Sequence, residues 1–503
     1  MLHASDLTPG QLEAIDWLQH RTEALLAYPV GFGKSIICLT AIANIRRIYG
    51  PWRTLLVSTK AICKHTWADE IAGWSHLPAL EYTNAAGRNL AAAQSNADIT
   101  AVNFESLEWL LDAVDRGEVL LPEILVIDES SKMKDGRTSR VQRLAGLRRI
   151  TKSGGIKRSK SNPGYVHRFK RRFLLSATPN PEGYEGLWAQ EACMSTRRRL
   201  GENITSFRNT YSTRDRSGFG WDVLPSSEPI IEEKLKHVMH LPPKGDYMDL
   251  PPPTHSRIVI PWSDEARAEY KEMEDELELV LEGLDPSMGL DEIEIVAPNA
   301  GVLRSKLRQI CSGFLYDKDG LAHPTSQPNA KLDALDALRE RVDETPLLVF
   351  TQFRAEMSAI GDAHRDAQVR MPSSLKDWNA KRVPMLVLHP ASAGHGLNLQ
   401  QGTHVCVYYS MPESYEQWHQ SWGRVHRRGQ RLPVSVIRFE RPNSVDQDVH
   451  AMTQKKGARL SDFLEHMRER RGAARLTSCE ASPASQQGSK RRSPTPRHLG
   501  PRS

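Results

Sequence analysis

The stretch "AYPVGFGKSIICLT", residues 27–40, decides the fold, because an apolar strand-like run ends there and a helix-like run begins. Gly31 and Gly33 stand at this junction, directly followed by Lys34 and Ser35. Glycines let successive backbone N–H groups point inward around an anion, and a helix that begins there directs its positive end at the same anion. A lysine at this position can reach the β- and γ-phosphates of a nucleotide, and a hydroxyl can hold magnesium.

A strict phosphate loop has a further glycine, and this chain has Tyr28 in that place. Taken alone, the stretch therefore leaves two interpretations open. One is a loop that binds nucleotide phosphates. The other is an ordinary glycine turn followed by a helix with a serine in its first turn.

Apolar runs on both sides of the chain indicate two α/β lobes. Short buried runs separated by helical stretches are typical of βαβ units and a parallel sheet. The runs lie at 54–58, 98–104, 123–128 and 172–178, and again at 346–352, 384–390, 404–410 and 433–440. The middle of the chain holds an acidic helical stretch at 263–284 and is interpreted as a mainly helical insertion.

The bulk composition excludes some classes of protein. A length of 503 residues suggests two to four domains, and a net charge of +6 is mild for that length. The six cysteines are scattered without a Cys-x-x-Cys pair, which argues against a zinc site or a disulfide framework and favours a reducing compartment. The N-terminus lacks an apolar signal core, and no apolar run approaches the length of a bilayer span. We therefore expect a cytoplasmic protein without a membrane partner.

Three more segments carry residues suited to nucleotide chemistry. In "EILVIDESSK" (123–132), Asp128 and Glu129 end a strand, where one carboxylate can hold magnesium and the other can deprotonate an attacking water. The alternative is an acidic turn after a strand. In "FLLSATPNPEGYEGLWAQ", Ser176 and Thr178 end another strand, and the alternative is a polar strand-to-loop junction.

The last of these segments is "QSWGRVHRRGQ" (420–430), which contains Gln420, Arg424 and Arg427. Arginines at this spacing lie on one face of a helix or turn and can stabilise charge that develops on a γ-phosphate. The alternative is a solvated basic helix. Four such elements in this order, at strand ends of two α/β lobes, favour the functional interpretation of the set.

This set resembles superfamily two helicase-like ATPases, and within them the Snf-type subgroup related to chromatin remodellers, in the compact versions carried by bacteriophages. Those relatives also lack the first glycine of the strict loop, so the resemblance implies that residues 27–40 form an ATP loop. It implies two RecA-like lobes with a mainly helical insertion between them. The domains are then 1–194, 195–330 and 331–472, followed by a disordered basic tail at 473–503.

The resemblance also implies roles for individual residues. Gln11 in "LTPGQLEAIDWL" matches the family's adenine-reading glutamine, and Thr59 and Lys60 match a segment that contacts one nucleic-acid strand. The implied ATP ligands are Gln11, Gly31, Gly33, Lys34 and Ser35, with magnesium held by Ser35 and Asp128. The implied catalytic residues are Lys34, Asp128, Glu129, Gln420, Arg424 and Arg427, and the implied coupling residues are Ser176 and Thr178.

The implied activity is hydrolysis of ATP, with Mg²⁺, coupled to movement of a monomer along DNA. Duplex DNA is the favoured partner, and RNA stays open. Strand separation by a true helicase, or a nucleic-acid-binding scaffold without catalysis, are the alternatives. The chain departs from the family at Ser130 and Ser131, where Ala-His is frequent, and residues 394–399 form a stretch one residue shorter than in remodellers. The roles of Ser131 and His395 therefore stay open.

Residues 148–172 contain ten Lys or Arg and no acidic residue, and their Gly, Ser and Pro content predicts a loop. Lysine and arginine neutralise phosphates without reading sequence. We therefore expect Lys157, Arg158 and Lys160 to contact nucleic acid, with stacking of bases on Tyr165 and Phe169 or Phe173 as a weaker expectation. The alternative is a flexible solvated loop.

Overall fold

The computed structural model describes residues 2–77, 79–147, 164–180, 183–214, 221–242, 251–282, 290–370, 375–393, 398–427 and 429–480. The strands, in chain order, are β1 (Glu23–Ala27), β2 (Thr54–Ser58), β3 (Tyr82–Asn84), β4 (Ile99–Asn103), β5 (Ile124–Asp128), β6 (Arg171–Ser176), β7 (Ser212–Arg214), β8 (Trp221–Val223), β9 (Met239–His240), β10 (Thr254–Val259), β11 (Phe314–Tyr316), β12 (Ala322–Pro324), β13 (Leu347–Phe350), β14 (Ala367–Val369), β15 (Met385–Leu388), β16 (Val405–Tyr408) and β17 (Ser435–Glu440).

The α-helices lie mainly between these strands. They are α1 (Pro9–Gln19), α2 (Lys34–Tyr49), α3 (Trp67–Gly73), α4 (Leu90–Gln94), α5 (Leu107–Asp115), α6 (Ser139–Ala145), α7 (Tyr184–Met194), α8 (Ile204–Tyr211), α9 (Glu228–Leu235), α10 (Asp264–Glu282), α11 (Leu290–Cys311), α12 (Ala330–Arg341), α13 (Arg354–Ala363), α14 (Leu375–Asn379), α15 (Pro390–Ala393), α16 (Tyr415–Trp422) and α17 (Val445–Glu480). None of the described helices combines the length and the apolar character that a bilayer crossing requires.

The first lobe is built on a parallel sheet of seven strands in the order β3-β4-β2-β5-β6-β1-β9. All residues of β1, β2, β4, β5 and β6 are buried, as expected for strands covered by helices on both faces. Because the strands are parallel, the carboxyl ends of β1, β5 and β6 meet at one edge of the sheet. That edge carries the residues of the candidate site.

The second lobe is built on a parallel sheet of six strands in the order β10-β17-β16-β13-β15-β14. Its central strands β13, β15 and β16 are buried throughout. The predicted fold class, two RecA-like lobes with parallel sheets flanked by helices, is confirmed. The apolar runs that predicted the lobes coincide with β2, β4, β5, β6, β13, β15, β16 and β17.

The range 195–330 is less purely helical than predicted. It holds helices α8 to α11 and two antiparallel hairpins, β7–β8 and β11–β12, but it also gives β9 to the first sheet and β10 to the second. The strand β9 has only two residues, and five of the six residues of β10 are exposed. Neither strand has the continuous apolar run from which the other strands were predicted. Hydrogen bonding to a neighbouring strand, rather than burial of an apolar run, therefore stabilises them.

The prediction extended the basic loop, 148–172, too far at its C-terminal end. Arg171 and Arg172 belong to the buried strand β6, where Arg172 donates to the carbonyl oxygen of Phe169 at 2.6 Å and pairs with Glu23 at 3.2 Å. The expectation that Tyr165 and the nearby phenylalanines stack on bases is wrong. The rings of Tyr165, Phe169 and Phe173 are buried in the core of the first lobe. Lys157, Arg158 and Lys160 lie outside the described residues.

The last helix, α17, crosses from the second lobe to the first. At its start, the buried ammonium group of Lys331, on α12 of the second lobe, donates to Asp446 at 3.3 Å. Farther along, Phe463 packs edge-on against Tyr184 of the first lobe, with ring centroids 5.4 Å apart.

The helix α17 also extends farther than the sequence predicted. It runs to Glu480, so residues 473–480, which the sequence assigns to a disordered tail, are helical. Residues 473–480 include good helix formers and no proline, and the next proline is at residue 483. This composition accounts for the difference. Residues 481–503 lie outside the described part of the chain.

Candidate active site

The loop between β1 and α2 needs its two glycines for different reasons. Gly31 and Gly33 both have left-handed backbones, with φ of 83° and 91°. A Cβ at Gly33 would lie 2.6 Å from Nε2 of Gln11, so a side chain there would displace that amide. A Cβ at Gly31 would lie 3.2 Å from the Cβ of Arg427, which belongs to the second lobe. The loop is therefore closely covered by both lobes.

Gln11 ties the beginning of α1 to this loop. The backbone N–H of Thr8 donates to Oε1 of Gln11 at 2.9 Å, which caps the helix. The other end of the amide group, Nε2, donates to the carbonyl oxygen of Phe32 at 2.8 Å. The structure thus places Gln11 on the loop, next to the two glycines.

Lys34 is the first residue of α2, and its side chain folds back over the loop. Its Nζ donates to the carbonyl oxygens of Tyr28 at 2.9 Å and Pro29 at 3.2 Å. Burial lowers the pKa of Lys34, and the nearby carboxylates of Glu129 and Asp128 oppose that shift. Ser35, the next residue, is half-buried in the first turn of the same helix.

Asp128 ends strand β5 and is held from two sides. The indole N–H of Trp67 donates to Oδ2 at 2.9 Å, and the backbone N–H of Glu129 donates to Oδ1 at 3.1 Å. Burial raises the pKa of the Asp128 carboxyl group, and its bond from Trp67 and the charge of Lys34 act in the other direction.

Glu129 has a backbone conformation that is unusual for its residue type. Its φ is 63° and its ψ is 53°, the left-handed region that non-glycine residues seldom adopt. Such strained residues cluster at functional sites. Burial raises the pKa of its carboxyl group to about 7, with Lys34 opposing the shift and Asp128 adding to it. A carboxyl group with that pKa is suited to exchange a proton near neutral pH.

The second lobe reaches this carboxyl group through helix α16 and the turn that follows it. Nε2 of Gln420 donates to Oε2 of Glu129 at 3.0 Å. Arg424 and Arg427 follow along the chain, and burial lowers the pKa of both guanidinium groups, to about 10 for Arg427. Gln420 and Arg424 are buried, and Arg427 lies against Gly31. The structure therefore brings residues from both lobes to one cleft.

Ser176 and Thr178 lie at the end of β6, next to the strand that carries the carboxylates. The backbone N–H of Thr178 donates to Oγ of Ser176 at 3.1 Å. A buried glutamine, Gln190, joins this segment to the carboxylate strand. It accepts from Oγ of Ser130 at 2.8 Å and donates to the carbonyl oxygen of Pro179 at 2.6 Å.

Of the residues predicted to contact nucleic acid, the structure describes Thr59 and Lys60. Thr59 is buried just after β2, and Lys60 next to it is exposed. Lys157, Arg158, Lys160 and His395 lie outside the described residues. Among the described residues there is no cluster of three or more His, Cys, Asp or Glu residues that could hold a metal ion.

The structure adds residues that sequence reasoning did not single out. Trp67 holds Asp128, and Glu416 of α16 accepts from Oγ of Ser131 across the cleft. Trp67 is the first residue of α3, and its bond to Asp128 spans 61 residues of sequence. Ser131 and Glu416 are 285 residues apart, and no periodicity or local motif connects them.

Comparison with known proteins supports this arrangement of elements. Residues 10–153 match the model of the family described as SNF2-related domain. The chain is 29% identical over 461 residues to "Putative protein p41" of Acyrthosiphon pisum secondary endosymbiont phage 1, covering 88% of this chain and 94% of that protein. It is 22% identical over 500 residues to "Probable ATP-dependent DNA helicase CHR12" of Arabidopsis thaliana, covering 91% of this chain and 42% of that protein.

A further comparison concerns a solved structure, the Sulfolobus solfataricus SWI2/SNF2 ATPase core in complex with dsDNA. It aligns with 94% of this chain and 96% of its own at 17% identity and a TM-score of 0.41. The chain spans less than half of the length of the Arabidopsis relative and nearly all of the phage relative. Residues 10–153 are thus similar to an SNF2-related domain, and most of the chain is similar to the phage and Arabidopsis proteins.

Proposed function

We propose that this protein hydrolyses ATP in the cleft between its lobes and couples hydrolysis to movement along duplex DNA. One observation carries the proposal. The buried carboxylate of Glu129, at the end of a first-lobe strand, receives a hydrogen bond of 3.0 Å from Gln420 of the second lobe. In this proposal the base and the glutamine that holds it lie on different lobes, so hydrolysis requires the closed cleft.

The loop fits the phosphates of a nucleotide. Two left-handed glycines precede a helix of 16 residues, and the positive end of that helix lies at the loop. In this proposal Lys34 gives up its bonds to Tyr28 and Pro29 and binds the β- and γ-phosphates. Gln11, already fixed on the loop, reads the adenine.

The residues around the loop also fit a magnesium ion. Mg²⁺ keeps several waters and takes one or two protein oxygens together with substrate phosphates, so a hydroxyl and one carboxylate suffice. Ser35 and Asp128 supply these two oxygens in the proposal. Bound magnesium neutralises charge on the phosphates.

Glu129 acts as the general base in this proposal. Its pKa of about 7 lets it accept a proton from the attacking water at neutral pH. Gln420 holds the carboxylate from the opposite lobe. Arg424 and Arg427 stabilise the negative charge that develops on the γ-phosphate, and Ser176 and Thr178 transmit cleft closure to the rest of the first lobe.

The choice of duplex DNA rests on the relatives and on charge. The Arabidopsis relative is named a probable ATP-dependent DNA helicase, and a Bacillus subtilis relative at 22% identity is named a putative helicase/translocase. The sequence at 148–160 adds six Lys or Arg residues without an acidic residue. Such charge supports binding to a phosphate backbone without base readout.

The experiment is to measure the ATPase rate in parallel with no nucleic acid, single-stranded DNA, duplex DNA and RNA. We expect the largest stimulation with duplex DNA. In Lys34→Ala hydrolysis should be lost and ATP binding should be weakened. Lys271 is an exposed lysine on α10, and Lys271→Ala should behave like the wild type. Near-normal turnover in a folded Lys34→Ala protein would contradict the assignment of the loop.

A further inference from the structure

Glu416 is a buried carboxylate on the second lobe that the proposed chemistry does not use. It is 3% exposed and lies in the first turn of helix α16. Its Oε1 accepts a hydrogen bond from the hydroxyl of Ser131, which is fully buried on the first lobe, two residues after Glu129. A buried charge of this kind is costly unless it is fully hydrogen-bonded, so its partners are informative.

The second partner of Glu416 is Gln420, one turn farther along the same helix. Nε2 of Gln420 donates to Oε1 of Glu416 at 3.2 Å and to Oε2 of Glu129 at 3.0 Å. A side-chain amide has two N–H hydrogens, so these two bonds use both. The amide is therefore fixed between two carboxylates, one from each lobe.

We propose that Glu416 is a positioning residue that joins the lobes through Ser131 and orients Gln420 so that its amide holds Glu129. The inference rests on the proposed function in one respect, namely that Glu129 is the base. It gives Ser131 a role: its hydroxyl bonds to the opposite lobe in the closed cleft.

The two hydrogen bonds that Glu416 accepts give the proposal a signature that a packing contact lacks. Oε1 of Glu416 accepts from the hydroxyl of Ser131 and, at 3.2 Å, from Nε2 of Gln420. Alanine at position 416 removes this acceptor, whereas glutamine has the same shape and keeps an acceptor oxygen. Glu416→Gln should therefore retain much of the function that Glu416→Ala loses.

The first test compares kcat and the KM for ATP, with saturating duplex DNA, in the wild type, Glu416→Ala, Glu416→Gln and Ser131→Ala. We expect kcat to fall about tenfold in Glu416→Ala and Ser131→Ala, because Gln420 is less well oriented. We expect the KM to stay unchanged, because Glu416 is not one of the proposed nucleotide ligands. The kcat of Glu416→Gln should lie closer to that of the wild type than to that of Glu416→Ala.

Glu413→Ala is the matched control, because Glu413 is an exposed acidic residue three positions away that pairs with Arg304 of α11. It should leave kcat and the KM for ATP unchanged. A wild-type kcat in Glu416→Ala, a loss that Glu416→Gln does not reduce, or a loss of the same size in Glu413→Ala would overturn the proposal for Glu416.

The second test does not depend on activity. Melting temperatures are measured for Ser131→Ala, Glu416→Ala and the double variant without nucleotide. If the two side chains bond across the cleft, the double variant should melt higher than the sum of the two single losses predicts. Additive losses would overturn the interlobe contact. An inactive wild type with coupled melting temperatures would instead overturn the proposed function and leave that contact standing.

Discussion

Glu129 is a first-lobe residue that contacts the second lobe. Its backbone lies in the left-handed region, its carboxyl group is buried, and its neighbours carry charges of both signs. A left-handed backbone at a non-glycine residue costs about 1–3 kcal/mol, and the surrounding contacts must hold it in place. Gln420 from the opposite lobe is one of those contacts. We therefore expect the properties of Glu129 to change when the cleft opens.

Glu129→Gln should bind ATP but hydrolyse it at least about a hundredfold more slowly, since glutamine keeps the size of the side chain and cannot accept the proton. The wild-type rate should fall below about pH 7, the pKa of this carboxyl group, by tenfold for each further pH unit. The measurements are single-turnover hydrolysis across pH and nucleotide binding by titration.

Glu118→Gln serves as the control for that variant, because Glu118 is an exposed residue in a surface pair with Arg116. It should hydrolyse ATP at the wild-type rate. If Glu129→Gln loses binding and turnover to the same degree, the role of Glu129 is structural and the assignment as base is wrong.

At the scale of single residues, local sequence patterns indicate one part of the candidate site and not another. Lys34 and Ser35 follow two glycines at a strand-to-helix turn, and Asp128 and Glu129 end an apolar run, so local chemistry and strand position indicate them. Contacts such as that between Ser131 and Glu416 depend on how two lobes meet. No local pattern encodes that geometry, and for this reason these partners were not predicted.

At the scale of elements, α17 is the feature that links the lobes. Beyond the ring contact of Phe463, Nε of Arg470 donates to Oε2 of Glu232 at 2.9 Å, and the hydroxyl of Tyr184 donates to the other carboxylate oxygen at 2.7 Å. Glu232 is fully buried on α9 of the first lobe. The end of the chain's last described helix is thus part of the first lobe's packing.

Phe463→Ala should destabilise the protein by about 3–5 kcal/mol, because a ring that is 1% exposed leaves a cavity when it is removed. Urea unfolding measures the change. Met452→Ala on the same helix, where the side chain is 45% exposed, is the control and should change stability by less than about 0.5 kcal/mol. Equal effects of the two variants would show that α17 is not packed on the first lobe at Phe463.

The basic segment gives a second prediction at this scale. Changing Lys157, Arg158 and Lys160 to Glu should weaken DNA binding to the same degree for all sequences and flatten its salt dependence, because fewer counterions are released. Affinity is measured at several salt concentrations. The charge-matched control changes three exposed residues elsewhere to Glu, namely Lys271, Lys318 and Arg341. An affinity and salt slope equal to those of the control would show that the segment is a solvated insertion.

Element prediction from the sequence succeeded where strands are buried on both faces. The runs at β2, β5, β13 and β16 are almost entirely apolar, and burial in a parallel sheet requires that composition. Strands β9 and β10 were missed, since one has two residues and the other is exposed and polar. Tyr165 and Phe169 were assigned to a solvated loop because the basic residues around them dominate the composition, although their rings fill the core.

At the scale of the whole molecule, the question is what the motor does to a duplex. Movement along a duplex without opening it requires phosphate contacts that form and break as the cleft closes and opens. Unwinding also requires the stacking energy of each base pair, roughly 1.4 kcal/mol per step. We expect ATP to drive displacement of a triplex-forming third strand, while a forked duplex stays largely paired.

Arg427→Ala should stop triplex displacement and leave DNA binding nearly intact, because Arg427 is assigned to the transition state of hydrolysis. Displacement is measured by gel shift of the released strand, and DNA binding by titration of the same variant. Efficient unwinding of the fork, with weak stimulation of the ATPase by blunt duplex, would favour a strand-separating helicase over a translocase.

The course of α17 has a mechanical consequence. Asp446 anchors its beginning in the second lobe, and Phe463 anchors a later turn in the first. An α-helix rises about 1.5 Å per residue, so the segment between these anchors is a strut roughly 26 Å long. A helix of fixed length keeps the distance between its two anchor residues constant. While both anchors hold, we expect the two lobes to rotate relative to each other rather than to separate.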